Sequence, residues 1–400
     1  MQADDPAERP VVALQPGRQK RAESGHPWIY SNEIQMDAAA KALPPGGLVT
    51  LLKADGKRLG VATFNPHPLV SARLLSRDAT QRIDQTFLVR VLRRALAVRE
   101  RLFPEPHYRL VHAEADGLPG LVVDRFGNSV VCQLNTAGMA LLEGELLAAL
   151  DHVLAPEIVV LRNDSPARQA EGLPVETRTV KGTLAGPVEL VENGVRFKAD
   201  LVQGQKTGWF FDQRDNRRFM APLARGGRVL DLYAFAGGFS VQAAVAGARE
   251  VIAIDRSEPA LALATAAAEM NGVAQSCTFR RGEAFAELER LHQAGERFET
   301  VIADPPAFVK SKKELGAGLR GYRKLARLAA QVTAKGGFLF IASCSHNADL
   351  AAFAEAVRQG IHDADRVGRI LRTAGADADH PVHPALPESA YLKAQVLMLD

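Results

Sequence analysis

The stretch R-V-L-D-L-Y-A-F-A-G-G-F-S, residues 228–240, decides the fold of the C-terminal half of this chain. Its first five residues are mostly apolar and predict a buried strand. The adjacent glycines Gly237 and Gly238 let the backbone turn sharply into a helix and approach a ligand closely. The pattern G-x-G-x-x-G is absent from this turn, so the usual cradle for a dinucleotide pyrophosphate is not expected.

Strands and helices alternate from this stretch onward. The apolar runs predict strands at 228–232, 250–254, 277–280, 300–303 and 337–342, with helices at 238–246, 258–271, 284–294 and 322–334 between them. Such alternation predicts an α/β domain with a doubly wound, Rossmann-like parallel sheet. Two alternating runs flank Asn193-Gly194, which predicts a hairpin where this domain begins. We therefore assign residues 187–400 to one domain.

Acidic side chains follow the first strands of this predicted sheet. Asp255 ends the second strand, 24 residues after Asp231, where a carboxylate can accept hydrogen bonds from two ribose hydroxyls. A ribose site without a pyrophosphate cradle indicates S-adenosylmethionine. Glu283 could meet the adenine amine, although a charge that stabilises a helix N-terminus explains it equally well. The candidate cofactor-binding residues of this region are Asp231, Tyr233, Phe235, Gly237, Gly238, Asp255, Glu283 and Asp304.

A second constellation follows the fourth and fifth strands. Asp304 precedes two prolines, which give a rigid backbone without N–H donors. Cys344 follows the fifth strand and should lie beside Asp304 if the two strands are neighbours. Free cysteine is usually buried, and Cys132 and Cys277, inside predicted strands, are assigned to packing. The position of Cys344 favours a nucleophile.

A thiolate at this position suits one difficult methylation. Carbon 5 of a pyrimidine is a poor nucleophile, but addition of a thiolate to carbon 6 makes an enamine that can accept a methyl group. Asp304 would hydrogen-bond the protonated ring nitrogen of the adduct. No second cysteine lies near Asp304 in the sequence, so the base that removes the carbon-5 proton is unassigned.

The N-terminal part differs in charge and pattern. Residues 1–103 carry 16 Lys/Arg against 10 Asp/Glu, and the remainder carries 33 against 36. Short strands within residues 10–76 predict a β-barrel-like module at 8–78, followed by an α+β domain at 79–186. A basic cluster and an aromatic side chain could bind RNA phosphates and bases, although a core position for the tryptophan is the favoured interpretation. These candidate RNA-binding residues are Arg18, Lys20, Arg21 and Trp28.

Composition excludes several classes of protein. Apolar runs stay well below the ~20 residues of a membrane span, and residues 1–5 lack the order of a signal peptide. We therefore expect a cytoplasmic protein that does not associate with a membrane. The three cysteines form no C-x-x-C pair, so neither a disulfide framework nor a metal site is expected.

Three motifs resemble one known family. D-L-Y-A-F-A-G-G-F-S (231–240), D-P-P-A-F-V (304–309) and S-C-S (343–345) resemble the bacterial large-subunit ribosomal RNA (cytosine-carbon-5) methyltransferases of the RlmI type. The resemblance spans essentially the whole chain. It implies a PUA RNA-binding domain around H-P-W (26–28) and a middle domain around E-A-D-G-L-P-G-L (114–121). The segment G-Q-K-T-G-W-F-F-D-Q-R (204–214) resembles the cofactor segment of that family.

This resemblance also implies roles for single residues. It implies that Lys206, Thr207 and Asp212 lie near S-adenosylmethionine, and that Cys344 is the nucleophile. At Glu283 the family more often has Asp, which is a departure at the adenine contact. Ribosomal RNA is the implied partner, the target nucleotide is open, and a homodimer is kept as a candidate assembly.

Three other functions compete with this interpretation. Methylation of an exocyclic amine uses [D/N]-P-P followed by an aromatic residue, but here Ala307 separates Pro306 from Phe308. An RNA-binding protein with an inactive methyltransferase fold would not need the acidic residues and Cys344 intact. A dehydrogenase would need the missing phosphate loop.

Overall fold

The computed structural model describes residues 4–400, and the chain divides into two compact units. The first unit extends to Gly186 and includes Asp200–Trp209 and Asp379–Pro387; the second contains Pro187–Ala199, Phe210–Ala378 and Glu388–Asp400. The prediction about a signal peptide used residues 1–5, and residues 1–3 of these lie outside the described residues. Among residues 4–400, no helix has the length and apolar character needed to cross a membrane.

The first unit begins with a small five-stranded sheet of order β1-β3-β4-β5-β2. Its strands are β1 (Val11–Ala13), β2 (Trp28–Tyr30), β3 (Gly47–Leu52), β4 (Arg58–Phe64) and β5 (Val70–Ser76), with short helices α1 (Lys20–Glu23) and α2 (Ala38–Lys41) between them. β1 runs parallel to β3, and the other pairs are antiparallel. Its buried core includes Leu14, Ile29 and Leu51.

A second five-stranded sheet, of order β10-β9-β8-β7-β6, completes the first unit. Its elements are α3 (Gln85–Leu102), β6 (His107–His112), β7 (Leu121–Phe126), β8 (Ser129–Leu134), α4 (Ala137–Leu141), α5 (Glu143–Leu154), β9 (Ile158–Asn163), α6 (Pro166–Ala170) and β10 (Glu176–Lys181). Helix α3 begins where the Asp84 side chain accepts a hydrogen bond from the backbone N–H of Phe87, which satisfies one free donor of the first turn.

Two later segments of the chain, Asp200–Trp209 and Asp379–Pro387, form hydrogen bonds with this second sheet. Thr207 is buried and donates a 2.5 Å hydrogen bond from its hydroxyl to Asp124 on β7. Asp379 accepts a 3.0 Å hydrogen bond from the backbone N–H of Arg109 on β6. Sequence analysis assigned both segments to the last domain, because contacts between distant parts of a chain leave no local pattern.

The second unit opens with the hairpin of β11 (Val188–Glu192) and β12 (Val195–Ala199). Asn193 and Gly194 both have positive φ, at 54° and 78°, as a type I′ turn requires. The hairpin expected at this position therefore forms.

The main sheet of the second unit has seven strands in the order β15-β14-β13-β16-β17-β19-β18. Its strands are β13 (Arg228–Leu232), β14 (Glu250–Asp255), β15 (Cys277–Arg281), β16 (Phe298–Ala303), β17 (Thr333–Ser343), β18 (Gly368–Ala374) and β19 (Lys393–Leu399). The helices are α7 (Arg214–Met220), α8 (Gly238–Val245), α9 (Glu258–Met270), α10 (Ala284–Gln293), α11 (Leu315–Val332) and α12 (Leu350–Asp363). Strand order reverses between β13 and β16, which is the usual ligand position in such sheets.

The sheet confirms the predicted fold class but differs in its last strands. β13 to β17 run parallel, whereas β19 runs antiparallel to both β17 and β18. The prediction of a parallel sheet was therefore wrong for the strands β18 and β19. The sequence of this region showed no alternation of strands and helices that would have predicted them. Helix α11 also begins at Leu315 rather than at residue 322.

Candidate active site

The candidate site lies where β13, β14, β16 and β17 end. β13 pairs with β14 on one side and with β16 on the other, and β16 pairs with β17. The residues that follow these strands therefore lie close together at the carboxyl ends of the central strands. The Cys344 sulfur lies 3.9 Å from the carbonyl oxygen of Pro305, so the structure brings Cys344 and the Asp304-Pro305-Pro306 segment together.

The turn after β13 has an unusual backbone. Tyr233 and Phe235 have φ of 63° and 49°, although neither is glycine. Such conformations cost of order 1–3 kcal/mol and cluster at ligand sites. Gly237 has φ of 78°, and a Cβ there would lie 2.9 Å from the Cβ of Ala264. The turn therefore packs against α9 at a distance that only glycine permits.

Asp255 fixes this turn from the next strand. One carboxylate oxygen accepts a hydrogen bond from the backbone N–H of Phe235 at 2.9 Å, and the other accepts from the N–H of Ser257 at 2.8 Å. Asp255 is only half-buried, and each carboxylate oxygen has a further lone pair. The residue can therefore hold the strained turn and still accept from a ribose.

Asp231 is a buried acid below the same turn, with 1% of its surface exposed. The Ser240 hydroxyl donates to one carboxylate oxygen at 2.5 Å, and the other makes no hydrogen bond within the described residues. Burial raises the pKa of Asp231 to about 7, and the charge of Asp304 adds to the shift. A cationic amine donor would satisfy the second oxygen, and the ammonium group of S-adenosylmethionine is such a donor.

Glu283 has two contacts that do not involve a ligand. Its side chain accepts from the backbone N–H of Ala286 at 3.0 Å and so caps α10. It also forms an ion pair with Arg256 at 3.2 Å. Glu283 therefore stabilises the N-terminus of α10, as one of the two interpretations of the sequence predicted. Its contact with adenine stays a prediction.

Hydroxyl groups fasten the S-C-S turn to the proline loop. Ser343 donates to the Tyr322 hydroxyl at 2.8 Å, and Ser345 lies 2.8 Å from the same oxygen. The Ser345 hydroxyl accepts from the backbone N–H of Val309 at 3.1 Å. Burial raises the pKa of Tyr322, so it remains a neutral hydroxyl. These bonds hold Cys344 in a fixed place next to Pro305.

The three cysteines differ in surroundings. Cys132 is fully buried within β8, where burial raises its pKa. Cys277 is half-buried on β15, and burial raises its pKa to about 11. Cys344 is half-buried at the carboxyl edge of the sheet. Of these three, only Cys344 lies at the ends of the central strands.

The antiparallel strand β19 and the segment directly before it supply two residues that sequence analysis missed, Lys393 and Tyr391. Because β19 runs opposite to β17, its first residues lie beside the last residues of β17, with Lys393 opposite Ser343. The buried Lys393 ammonium donates to the carbonyl oxygens of Ser345 and Ala348, both at 2.7 Å. Burial lowers the pKa of Lys393, and the neighbouring Cys344 opposes this shift. The only sequence signal was Tyr391 and Lys393 directly before the last apolar run.

The residues of the 204–214 segment separate between the two units. Asp212 is buried in the second unit and accepts a 2.5 Å hydrogen bond from the Tyr391 hydroxyl. Lys206, with φ of 51°, and Thr207 belong to the first unit. Their approach to a cofactor stays a prediction from the resemblance.

The four candidate RNA-binding residues occupy different environments. Arg18 and Lys20 are exposed. Arg21 pairs with Glu33 at 2.8 Å and lies 4.1 Å from the centre of the Tyr30 ring. Trp28 is half-buried, and its indole N–H donates to Glu114 at 2.8 Å. The tryptophan is thus neither a core residue nor a fully exposed platform.

No group of three or more His, Cys, Asp or Glu side chains within residues 4–400 is arranged to hold a metal ion. The donors and acceptors of the site are hydroxyls, the carboxylates of Asp231, Asp255 and Asp304, and backbone groups. This donor set suits an organic cofactor and a substrate that contributes its own amine and hydroxyl groups.

Comparisons with known proteins agree with this architecture. A family model described as an S-adenosylmethionine-dependent methyltransferase matches residues 161–367, and a PUA-like domain model matches residues 12–77. The ribosomal RNA large subunit methyltransferase I of Aeromonas hydrophila is 36% identical, covering 96% of this chain and 98% of that protein. That of Pseudoalteromonas translucida is 34% identical, covering 96% and 98%.

Solved structures share the fold. A Streptococcus mutans S-adenosylmethionine-dependent methyltransferase superposes with a TM-score of 0.82 at 20% identity, covering 97% of this chain and 100% of that chain. A methyltransferase complexed with S-adenosylhomocysteine gives the same TM-score and identity, covering 97% and 99%. The family model that matches residues 161–367 makes S-adenosylmethionine the cofactor, as predicted. The chain belongs to the S-adenosylmethionine-dependent methyltransferase family that includes ribosomal RNA large subunit methyltransferase I.

Proposed function

We propose that this protein methylates carbon 5 of a cytosine in large-subunit ribosomal RNA through a covalent adduct with Cys344. The RNA class of the substrate follows the curated relatives. The observation that carries the carbon-5 assignment is a half-buried thiol 3.9 Å from the Pro305 carbonyl, at the carboxyl ends of β16 and β17. A cytoplasmic location and a homodimer are retained as proposals that accompany this function.

The cofactor supplies an electrophilic methyl group when it is bound. Asp255 would accept from its ribose hydroxyls, and the unsatisfied oxygen of Asp231 would accept from its ammonium group. The turn through Gly237 and Gly238 would lie beside the cofactor. Lys206, Thr207, Asp212 and Glu283 stay candidates for further contacts.

Cys344 and Asp304 would together activate the cytosine ring. The thiolate of Cys344 adds to carbon 6, forming a carbon–sulfur bond and moving electron density to carbon 5. Asp304 accepts a hydrogen bond from the protonated ring nitrogen and stabilises the adduct. Because the hydroxyl network holds the S-C-S turn, the thiol is positioned before substrate binds.

Exposed cations follow the proline loop directly and suit an RNA backbone. Lys310, Lys312, Lys313 and Arg320 are exposed, against one acid, Glu314, in the same segment. The segment is tied to the catalytic turn, because the Asn347 side chain donates to the Lys310 carbonyl at 3.2 Å. Phosphates on either side of the target base could therefore pair with these cations.

Methylation of an exocyclic amine is the second candidate. That chemistry uses an aromatic side chain directly after the Asp-Pro-Pro motif. Here the Phe308 ring packs on Tyr322 at 4.7 Å and on Phe285 at 6.1 Å between centroids, and Cys344 would have no task.

An RNA substrate that carries 5-fluorocytosine distinguishes the two chemistries. Fluorine cannot leave as a cation, so carbon-5 methylation should leave the enzyme attached to RNA through Cys344 and visible in denaturing electrophoresis. Cys344→Ala should lose both the adduct and methyl transfer, and Cys277→Ala should keep both. An active Cys344→Ala enzyme without adduct formation would favour amine methylation.

A further inference from the structure

His346 lies two residues after Cys344, on the turn that follows β17. Its ring is exposed and stacks against Tyr391, with 5.3 Å between ring centres and 30° between ring planes. A half-exposed thiol and an exposed imidazole thus share one short turn. The chemistry assigned above uses only the thiol.

Lys393 fixes the turn on both sides of His346. Its ammonium donates to the carbonyl oxygen of Ser345, directly before His346, and to that of Ala348, two residues after it. The Ala348 N–H donates to the Ser345 carbonyl at 3.3 Å, which closes the turn. The Cα of His346 is therefore held between two fixed carbonyl groups.

Tyr391 fixes the imidazole ring. Its hydroxyl donates to the buried Asp212 carboxylate at 2.5 Å, so the tyrosine ring cannot easily rotate away. The His346 ring packs next to this ring in a tilted arrangement. A histidine held in this way loses less entropy when it reaches a substrate.

The stereochemistry of the reaction sets where the last base must lie. A thiolate at carbon 6 and a methyl donor at carbon 5 must approach opposite faces of the flat ring, because both cannot occupy one face. After methylation, the hydrogen at carbon 5 points to the face on which the sulfur is attached. Its acceptor must therefore come from the side of Cys344, and His346 lies on the same turn.

We propose that His346 is the catalytic base that removes the carbon-5 proton and releases the methylated cytosine. This inference rests on the proposed carbon-5 function. The imidazole nitrogen takes the proton, the carbon–hydrogen electron pair forms the carbon 5–carbon 6 double bond, and the carbon–sulfur pair returns to Cys344 as thiolate. The imidazolium then gives its proton to solvent, so the enzyme is regenerated.

The other titratable groups around this turn have different tasks. Asp304 would hold the ring nitrogen, and Tyr322 is buried with its oxygen bonded to both serines. Lys393 donates to two carbonyls, and the Tyr391 hydroxyl donates to Asp212. Asp349 caps α12 by accepting from the Ala352 N–H. Histidine is also the residue whose ordinary pKa, about 6.5, suits a base at neutral pH.

The test uses the full-length enzyme with two RNA substrates, one with ordinary cytosine and one with 5-fluorocytosine. His346→Ala should still trap 5-fluorocytosine, because the trapped species forms before proton removal. With ordinary cytosine it should accumulate a methylated, denaturation-resistant adduct, and turnover should fall about 100-fold or more.

Two further variants control for structural effects. His362→Ala removes an exposed histidine at the end of α12 and should leave turnover unchanged. Tyr391→Phe keeps the ring against His346 but loses the bond to Asp212, so it should slow turnover less than His346→Ala. Cofactor affinity by calorimetry reports whether each variant keeps its fold.

Each failure has a distinct signature. If the unaltered enzyme does not trap 5-fluorocytosine, the carbon-5 function is wrong. If it does trap, but His346→Ala turns over normally and accumulates no adduct with ordinary cytosine, the assignment of His346 is wrong. Loss of both trapping and cofactor affinity in His346→Ala and in His346→Asn would make the residue structural and would also overturn the inference.

Discussion

At the residue scale, Asp255 holds the strained turn, and we propose that it also accepts hydrogen bonds from the ribose. Asp255→Ala should therefore weaken S-adenosylmethionine binding by ~1–3 kcal/mol, because ribose hydroxyls lose their acceptor and the Phe235 N–H loses its partner. Calorimetry on the full chain measures this. Glu258→Ala, which removes an exposed acid on the next helix, is the matched control, and equal losses in both variants would contradict the role of Asp255.

Asp231 should make the stability of the cofactor-free protein depend on pH. Its pKa is raised from 3.8 to about 7 by burial, so the folded state holds a proton that the unfolded chain loses between these values. The unfolding free energy should fall as pH rises from about 4 to about 7, by an amount on the order of a few kcal/mol, and then level off. Asp231→Asn should remove this fall. Denaturant titrations at pH 5 and pH 8 compare the two, and identical pH dependence would contradict the prediction.

At the scale of elements, the segment after the proline loop should carry RNA affinity. Replacing Lys310, Lys312 and Lys313 with alanine should lower the slope of log affinity against log salt by about 2, because each neutralised phosphate of single-stranded RNA contributes ~0.7 to that slope. Arg225, Arg297 and Lys335 are exposed at the opposite edge of the sheet, and their triple alanine variant is the control. Filter binding at several salt concentrations gives both slopes, and equal slopes would move the RNA path elsewhere.

Elements with a local pattern could be predicted, and those that depend on distant partners could not. β13, the glycine turn and the hairpin at Asn193 follow from short-range signals, and the parallel-sheet rule brought Asp304 near Cys344. The first turns of α11 were missed because glycine weakens helix propensity. The structure explains Gly318, since a Cβ there would lie 2.3 Å from the Val309 side chain. β19 was missed because its pairing with β17 leaves no mark in the neighbouring sequence.

At the scale of the whole molecule, the first unit should unfold as one body. The buried Glu171 joins its two sheets, since it pairs with Arg73 at 2.7 Å and accepts from the Asn65 side chain at 3.0 Å. Glu171→Ala leaves the buried Asn65 side chain and the half-buried Arg73 without their acceptor and should destabilise the first unit by about 3–5 kcal/mol.

Calorimetric melting should show this loss as a single shifted transition for the first unit. Glu189→Ala, which breaks an exposed ion pair with Arg196, should change stability by less than about 1 kcal/mol. If the two sheets of the first unit melted separately in the Glu171 variant, and one of them melted at an unchanged temperature, Glu171 would not couple their unfolding.

The antiparallel position of β19 has a consequence for synthesis. The chain is made from its N-terminus, so Cys344 leaves the ribosome 49 residues before Lys393. Until Tyr391 and Lys393 arrive, the turn that carries the thiol and His346 lacks its clamp, and the tyrosine hydroxyl that binds Asp212 is not yet made. A nascent chain would therefore expose Cys344, the proposed nucleophile, before the contacts that fix its turn can form.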